Sequence, residues 1–115
     1  MLSFGGRPRV FLCLQATDMR CSFPGLISRT KNIVEQDPLS GYLFVFINRQ
    51  RDYVKVLYWD ESGYCIWSKR LEAGTFEFPK SVEKKVEIDL KKLMLILEGI
   101  SLGKIKQRKR FSLKV

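Results

Sequence analysis

Histidine does not occur in this sequence, so the commonest general base of enzyme sites and the commonest nitrogen ligand of zinc are both missing. Cysteine is scarce: Cys13, Cys21 and Cys65 form an odd set with no CxxC pair. A zinc site would have to be built from carboxylates, and the three cysteines read as free thiols in a reducing compartment. Long apolar runs are missing too. The longest, Tyr42 to Ile47, has the length of a strand and not of a membrane span. Met1 to Arg9 has neither the apolar core nor the cleavage pattern of a signal peptide, so the expected location is the cytoplasm, with no membrane partner. Acidic residues are in deficit, 12 against 21 Lys and Arg, which leaves a net charge of +9.

Six of those charges (Lys104, Lys106, Arg108, Lys109, Arg110, Lys114) fall between Ser101 and Val115, where no acidic residue interrupts them. The body is therefore mildly basic and the tail strongly so. A field of this sign favours a polyanion, either nucleic acid or an acidic protein face. With 115 residues, 45% of them hydrophobic, the chain can bury one core without staples. The expected organisation is a single α+β domain over 1–100 followed by a basic C-terminal arm over 101–115.

Within the body, Val10–Leu14 reads as a short strand. Leu26, Thr30, Ile33 and Val34 recur at helical spacing, with Ser22 as a candidate N-cap and Pro24 acceptable in the first turn. Should the helix start at Thr17 or Asp18 instead, Pro24 would kink it. Asp37-Pro38 closes the segment. Four runs rich in β-branched and aromatic residues follow, Tyr42–Asn48, Tyr53–Trp59, Tyr64–Leu71 and Thr75–Phe78, separated by turn residues. Short connections predict an antiparallel meander of about four strands. A second helix is predicted over Leu90–Glu98, capped by Asp89 and stopped by Gly99.

If the turn Asp60–Gly63 sets a simple register, Trp59 opposes Tyr64, Leu57 opposes Ile66, Lys55 opposes Ser68 and Tyr53 opposes Arg70. The reverse face then carries Val54, Val56, Tyr58, Cys65, Trp67 and Lys69, joined by Phe44 and Phe46. Two arrangements follow. Helices could cover both faces, with lysine and arginine stems snorkelling at the edge. Alternatively, aromatic and basic groups share an open face, where bases or partner side chains stack on Tyr53 or Trp59 and the hairpin tip Asn48–Arg51 extends the contact.

No convergent catalytic set can be assembled. There is no Walker loop and no HExxH, and Asp18, Asp37, Asp60 and Glu72 all sit at expected caps or turns. A retroviral-integrase-type nuclease would open with several successive strands, unlike this chain. The expectation is a protein without enzymatic activity, cofactor or small-molecule substrate.

Several local strings are more specific than composition. Thr17-Asp18-Met19-Arg20 with Phe23, Gly25 and Leu26 fits the pattern TDMRxxFxGL. Asp37-Pro38, Ser40-Gly41 and Leu43-Phe44-Val45-Phe46 fit DPxSGxLFVF, and Asn48-Arg49, Arg51, Lys55, Leu57, Trp59-Asp60 and Gly63 are close to NRRRxxxKxLxWDxxG. Lys69-Arg70-Leu71-Glu72, Gly74, Phe76 and Pro79 fit KRLExGxFxxP, and Leu97-Glu98-Gly99-Ile100 fits LLEGI. In these strings, over about Val10 to Arg110, the chain resembles the TnpB family of transposition accessory proteins, the second open reading frame of insertion sequence family sixty-six, unrelated to the RNA-guided nuclease of that name. Cys21 and Pro24 depart from the pattern, standing where lysine and often aspartate are usual. The resemblance implies bacterial origin, a role in mobilising the element, and a separate DDE transposase as partner; it supplies no catalytic residues.

The motif residues divide by type. Gly25, Pro38, Gly41, Gly63 and Gly74 fit turns, while Phe44, Phe46, Leu57, Trp67 and Leu97 fit a core. Asp18 is expected to cap its helix and to pair with Arg20 or Arg49. Arg20, Arg49, Arg51, Lys55, Lys69 and Arg70 are costly as core filler, so they are the candidate nucleic-acid-binding residues, together with Lys104, Lys106, Arg108, Lys109 and Arg110 of the arm. DNA beside the transposase is one expected partner; an adaptor docking on the transposase without touching DNA is the other.

Overall fold

The computed structural model describes residues 6–99. The predicted arm, with Lys104, Lys106, Arg108, Lys109 and Arg110, lies outside the described residues. Five strands form one mixed sheet: β1 (Val10–Cys13), β2 (Leu43–Ile47), β3 (Tyr53–Asp60), β4 (Gly63–Arg70) and β5 (Lys85–Ile88), in the order β4-β3-β2-β1-β5. Helix α1 (Phe23–Arg29) continues into a π-helical turn over Thr30–Val34, and α2 (Leu90–Leu97) ends the described chain. The architecture is α+β.

β1 and β2 are buried at every position, in keeping with strands covered on both faces. They pair in parallel, Val10 beside Leu43, because the connection between them is the long crossover that carries α1. All other pairings are antiparallel. One face packs Val10, Leu12, Val45, Val54 and Val56 against Leu93, Ile96 and Leu97 of α2. The other packs Phe11, Phe44, Phe46 and Leu57 against Leu26 and Val34. A helix therefore lies on each side of the sheet.

The β3–β4 register is the predicted one, from Tyr53 opposite Arg70 to Trp59 opposite Tyr64. The place of β2 differs. Phe44 faces Leu57 across the β2–β3 pair and Phe46 faces Lys55, so both phenylalanines belong to the Leu57 and Ile66 side, and Val45 to the Val56 side. The loop Asn48–Asp52 fixes this register, which no count of apolar residues within β2 could determine.

Thr75–Phe78 is not a strand. Phe76 and Phe78 are buried in the α2-side cluster, and the connector bonds toward the hairpin from Phe76 N to Arg51 O at 2.7 Å without pairing as a strand of the sheet. Its alternation serves as a plug, not a ladder. The fifth strand is Lys85–Ile88, which pairs with the free side of β1. Arg9 and Glu87 clamp that pairing with two bonds of 2.8 Å, the guanidinium lying over Phe11 and Tyr42.

α1 starts at Phe23, with Pro24 in its first turn and Ser22 at the N-cap without a side-chain bond. The start at Thr17 or Asp18, and the kink it would require, do not occur. Gly25 lies inside this helix and not in a turn: a Cβ there would meet Cys21 Sγ at 3.1 Å, so the residue marks a close approach. At α2 Asp89 is the N-cap, its carboxylate accepting from Lys92 N at 2.8 Å, and Gly99 follows in a left-handed conformation (φ 82°). All three cysteines are free.

Candidate nucleic-acid interface

Asn48 builds the hairpin tip. Its Oδ1 accepts from Asp52 N (3.0 Å) and Tyr53 N (3.1 Å), and its Nδ2 donates to Asp52 Oδ1 (2.7 Å). Arg51 N closes the turn on Asn48 O at 3.1 Å. Arg49 and Arg51 are thereby held outward on a stiff loop. Both are exposed, and neither guanidinium has a carboxylate partner among the described residues. Arg51 sits in the left-handed region at φ 62°, a conformation disfavoured for a side chain of this size.

The segment Thr17–Cys21 stands beside this tip, tied to it by Thr17 N donating to Ile47 O at 2.8 Å. Lys55 pins it from below: half-buried, its Nζ donates to Met19 O and Cys21 O, each at 2.8 Å. Asp18 caps the Asp18–Cys21 turn through Arg20 N (2.8 Å) and not a helix, and its partner is Arg20 and not Arg49. The Arg20 guanidinium, 2.6 Å away at closest, holds the Asp18 carboxyl down at about 2, chiefly through its side-chain hydrogen bonds.

The six basic candidates of the body thus do four different things. Arg49 and Arg51 project from the tip. Lys55 and Lys69 are structural: Lys69, on the sheet face that α2 covers, donates from Nζ to Leu97 O at 2.8 Å and so caps the C-terminal end of that helix. Arg20 is exposed but chelated by Asp18. Arg70, also exposed, has its guanidinium 5.7 Å from the Tyr53 ring centroid, with Lys55 Nζ at 5.9 Å from the same ring. Lys69 is not brought together with the others. Trp59 and Tyr64 contact each other edge-on, with ring centroids 5.1 Å apart, at the far end of the hairpin from this tip.

Between the tip and the Thr17–Arg20 segment lies an open cleft of about 610 Å³ lined by Ala16, Thr17, Asp18, Met19, Arg29, Asn48, Arg49 and Gln50. Arg29 enters it from the last turn of α1, and the sequence reading missed it. Nothing in its spacing sets it apart from Lys31 or any other polar-face residue. Its Nη2 donates to Ala16 O at 3.0 Å, while its Nε–H is shielded from solvent and has no partner. A larger cleft of about 800 Å³ beside the start of α2 gathers Arg7, Arg9, Lys91 and Lys92, but there Glu87 already holds Arg9 and Asp89 occupies the helix end.

Among the described residues no three His, Cys, Asp or Glu side chains group closely enough to hold a metal ion, and no helix is long and apolar enough to cross a membrane. The letters Gly99-x-Ser101-x-Gly103 match a nucleophile-elbow spacing, but they follow a helix where that turn needs a strand, and the chain has no histidine to activate the serine.

Fold and surface together define a small basic α+β protein whose distinctive feature is a rigid arginine-bearing loop cluster. The chain belongs to the insertion-sequence family described as "IS66 Orf2 like protein", whose model matches residues 8–107. It is therefore an accessory protein of an insertion sequence. Two relatives from Sinorhizobium fredii are "Uncharacterized protein y4hO", 38% identical over 100 residues (87% of each chain), and "Uncharacterized protein y4jC", 28% identical over 100 residues (87% of this chain, 86% of that protein). No solved structure matches.

Proposed function

We propose that this accessory protein binds DNA alongside a separate DDE transposase, with phosphate contacts made first by the hairpin tip. One observation carries this reading: Arg49 and Arg51 stand exposed, without carboxylate partners among the described residues, on a loop that Asn48 makes rigid. Arg51 retains a long side chain where the backbone favours glycine, which points to a use for that side chain. Arg70 extends the basic surface along the same hairpin, and the net charge of +9 supplies the long-range attraction. The run Lys104–Arg110 adds cations of the same kind. Lys55 and Lys69 contribute by holding the fold.

The test is a salt titration of duplex and single-stranded DNA binding by the purified chain. Affinity is expected to fall steeply with salt. Alanine at both Arg49 and Arg51 should flatten the slope of log K against log salt by about 0.9 for each phosphate that is no longer neutralised. Retention of the transposase by a chain that shows no affinity for DNA at low ionic strength would replace this reading with the pure adaptor.

A further inference from the structure

We propose that the cleft between the Thr17–Arg20 segment and the hairpin tip is the seat of a single phosphate group, clamped between Arg29 and Arg49. This rests on the DNA-binding reading and gives it an address. Arg29 is the decisive residue. Its guanidinium is anchored at one nitrogen by Ala16 O, and its Nε–H is sheltered with no acceptor, an unmet charged donor of a kind folded proteins rarely leave. No carboxylate pairs with it among the described residues. Arg49, in the same lining, supplies a second cation with no carboxylate partner among the described residues, and Gln50 adds an exposed amide.

Asp18 is the one carboxylate in the lining, and Arg20 chelates it through bonds of 2.6 to 3.1 Å, which cancels its charge locally. The balance toward an entering group is therefore positive. The cleft is open and far larger than one anion, so it can take a phosphate still attached to its sugar. Two guanidinium groups in one lining suit a phosphate, which offers non-bridging oxygens to both. An internal phosphodiester and a terminal phosphate share that chemistry.

The experiment uses the full chain with three probes: a short duplex with hydroxyl ends, the same duplex with phosphorylated ends, and a glutamate-rich peptide. Affinity is measured for the wild type, Arg29→Gln, Arg49→Gln and the double variant, and the Arg29 Nε–H and Thr17 and Asn48 amides are followed by NMR. Each single substitution should weaken DNA binding about tenfold, the worth of one charge-assisted hydrogen bond. Because both residues serve one group, the double variant should lose clearly less than the hundredfold product, and the Arg29 Nε–H should shift on binding. Tighter binding of the phosphorylated duplex with the same coupling assigns a terminal phosphate; equal binding assigns an internal one. Strictly multiplicative losses with an unmoved Arg29 resonance overturn the seat while leaving DNA binding intact. Peptide binding that shows the coupling, with none for DNA, overturns the phosphate assignment. Failure of the wild type to bind either duplex at low salt overturns the parent reading instead. Thermal unfolding of Arg29→Gln reports the Ala16 anchor separately. Should that variant not fold, Arg49→Gln, which alters an exposed side chain, and the wild-type Arg29 resonance decide the matter.

Discussion

Cationic side chains of similar appearance in the sequence have opposite duties in the structure. Lys55 bridges two carbonyls 34 and 36 residues away, so replacing it with methionine keeps much of the stem but leaves Met19 O and Cys21 O without their donor. A loss of about 1–3 kcal/mol is expected by chemical denaturation, with the Thr17–Cys21 amides gaining hydrogen exchange. Arg51→Gly should do the reverse. It relieves a left-handed backbone and removes a side chain without a hydrogen bond among the described residues, so stability should hold or rise by up to about 1 kcal/mol while DNA affinity falls. A fall in stability together with unchanged affinity would remove the functional argument from that position. Asp18 gives a sharper readout. Its carboxyl should titrate at about 2 by carbon-detected NMR, and Arg20→Gln should bring it back toward the ordinary aspartate range.

Among the elements, the connector Thr75–Phe78 shows why a strand-like string need not be a strand. It has the aromatic alternation, and its two phenylalanines are buried, yet a ladder requires a neighbouring backbone in register, and the five-stranded sheet does not include this segment. Phe76→Ala should therefore cost about 3–5 kcal/mol through the cavity it leaves, measured by urea denaturation. β5 is the converse case. Lys85-Val86-Glu87-Ile88 carries two charges in four residues and is unimpressive as a sequence, but β1 offers it an unpaired edge and Arg9 a partner for Glu87. Lys85 then reaches across to Val34 O at 2.6 Å, capping the π-helical turn as Lys69 caps α2. Both ends are satisfied by lysines distant in sequence, which local capping rules do not reveal.

At the scale of the molecule, two exposed carboxylates, Asp18 and Glu87, make stability respond to acid, each held below its ordinary value by an arginine. A carboxyl with a lowered folded-state value contributes stability that is complete above its unfolded value of about 4 and lost as pH falls through the folded one. Stability should thus be flat from neutrality to about pH 4.5 and decline below it. Added salt should shrink the effect, since both pairs face solvent. Arg20→Gln should remove the Asp18 share of that acid limb, as seen in thermal unfolding at stepped pH.

Local chemistry determined a good deal unaided: the α+β class, the hairpin expected over Tyr53–Trp59 and Tyr64–Leu71, within a residue of its observed ends, with its register, the Asp89 cap and the family itself. Each rests on residues close together in the chain, where turn geometry, alternation and capping act directly. Tertiary structure alone decided the face of Phe44 and Phe46, the identity of the fifth strand, the withdrawal of Lys55 and Lys69 into structural bonds, and the entry of Arg29 into the cleft. These depend on which distant backbone supplies a carbonyl or an open edge. A lysine has the same letter whether its ammonium meets water or a carbonyl 36 residues away, and only the packed chain brings that carbonyl within 2.8 Å.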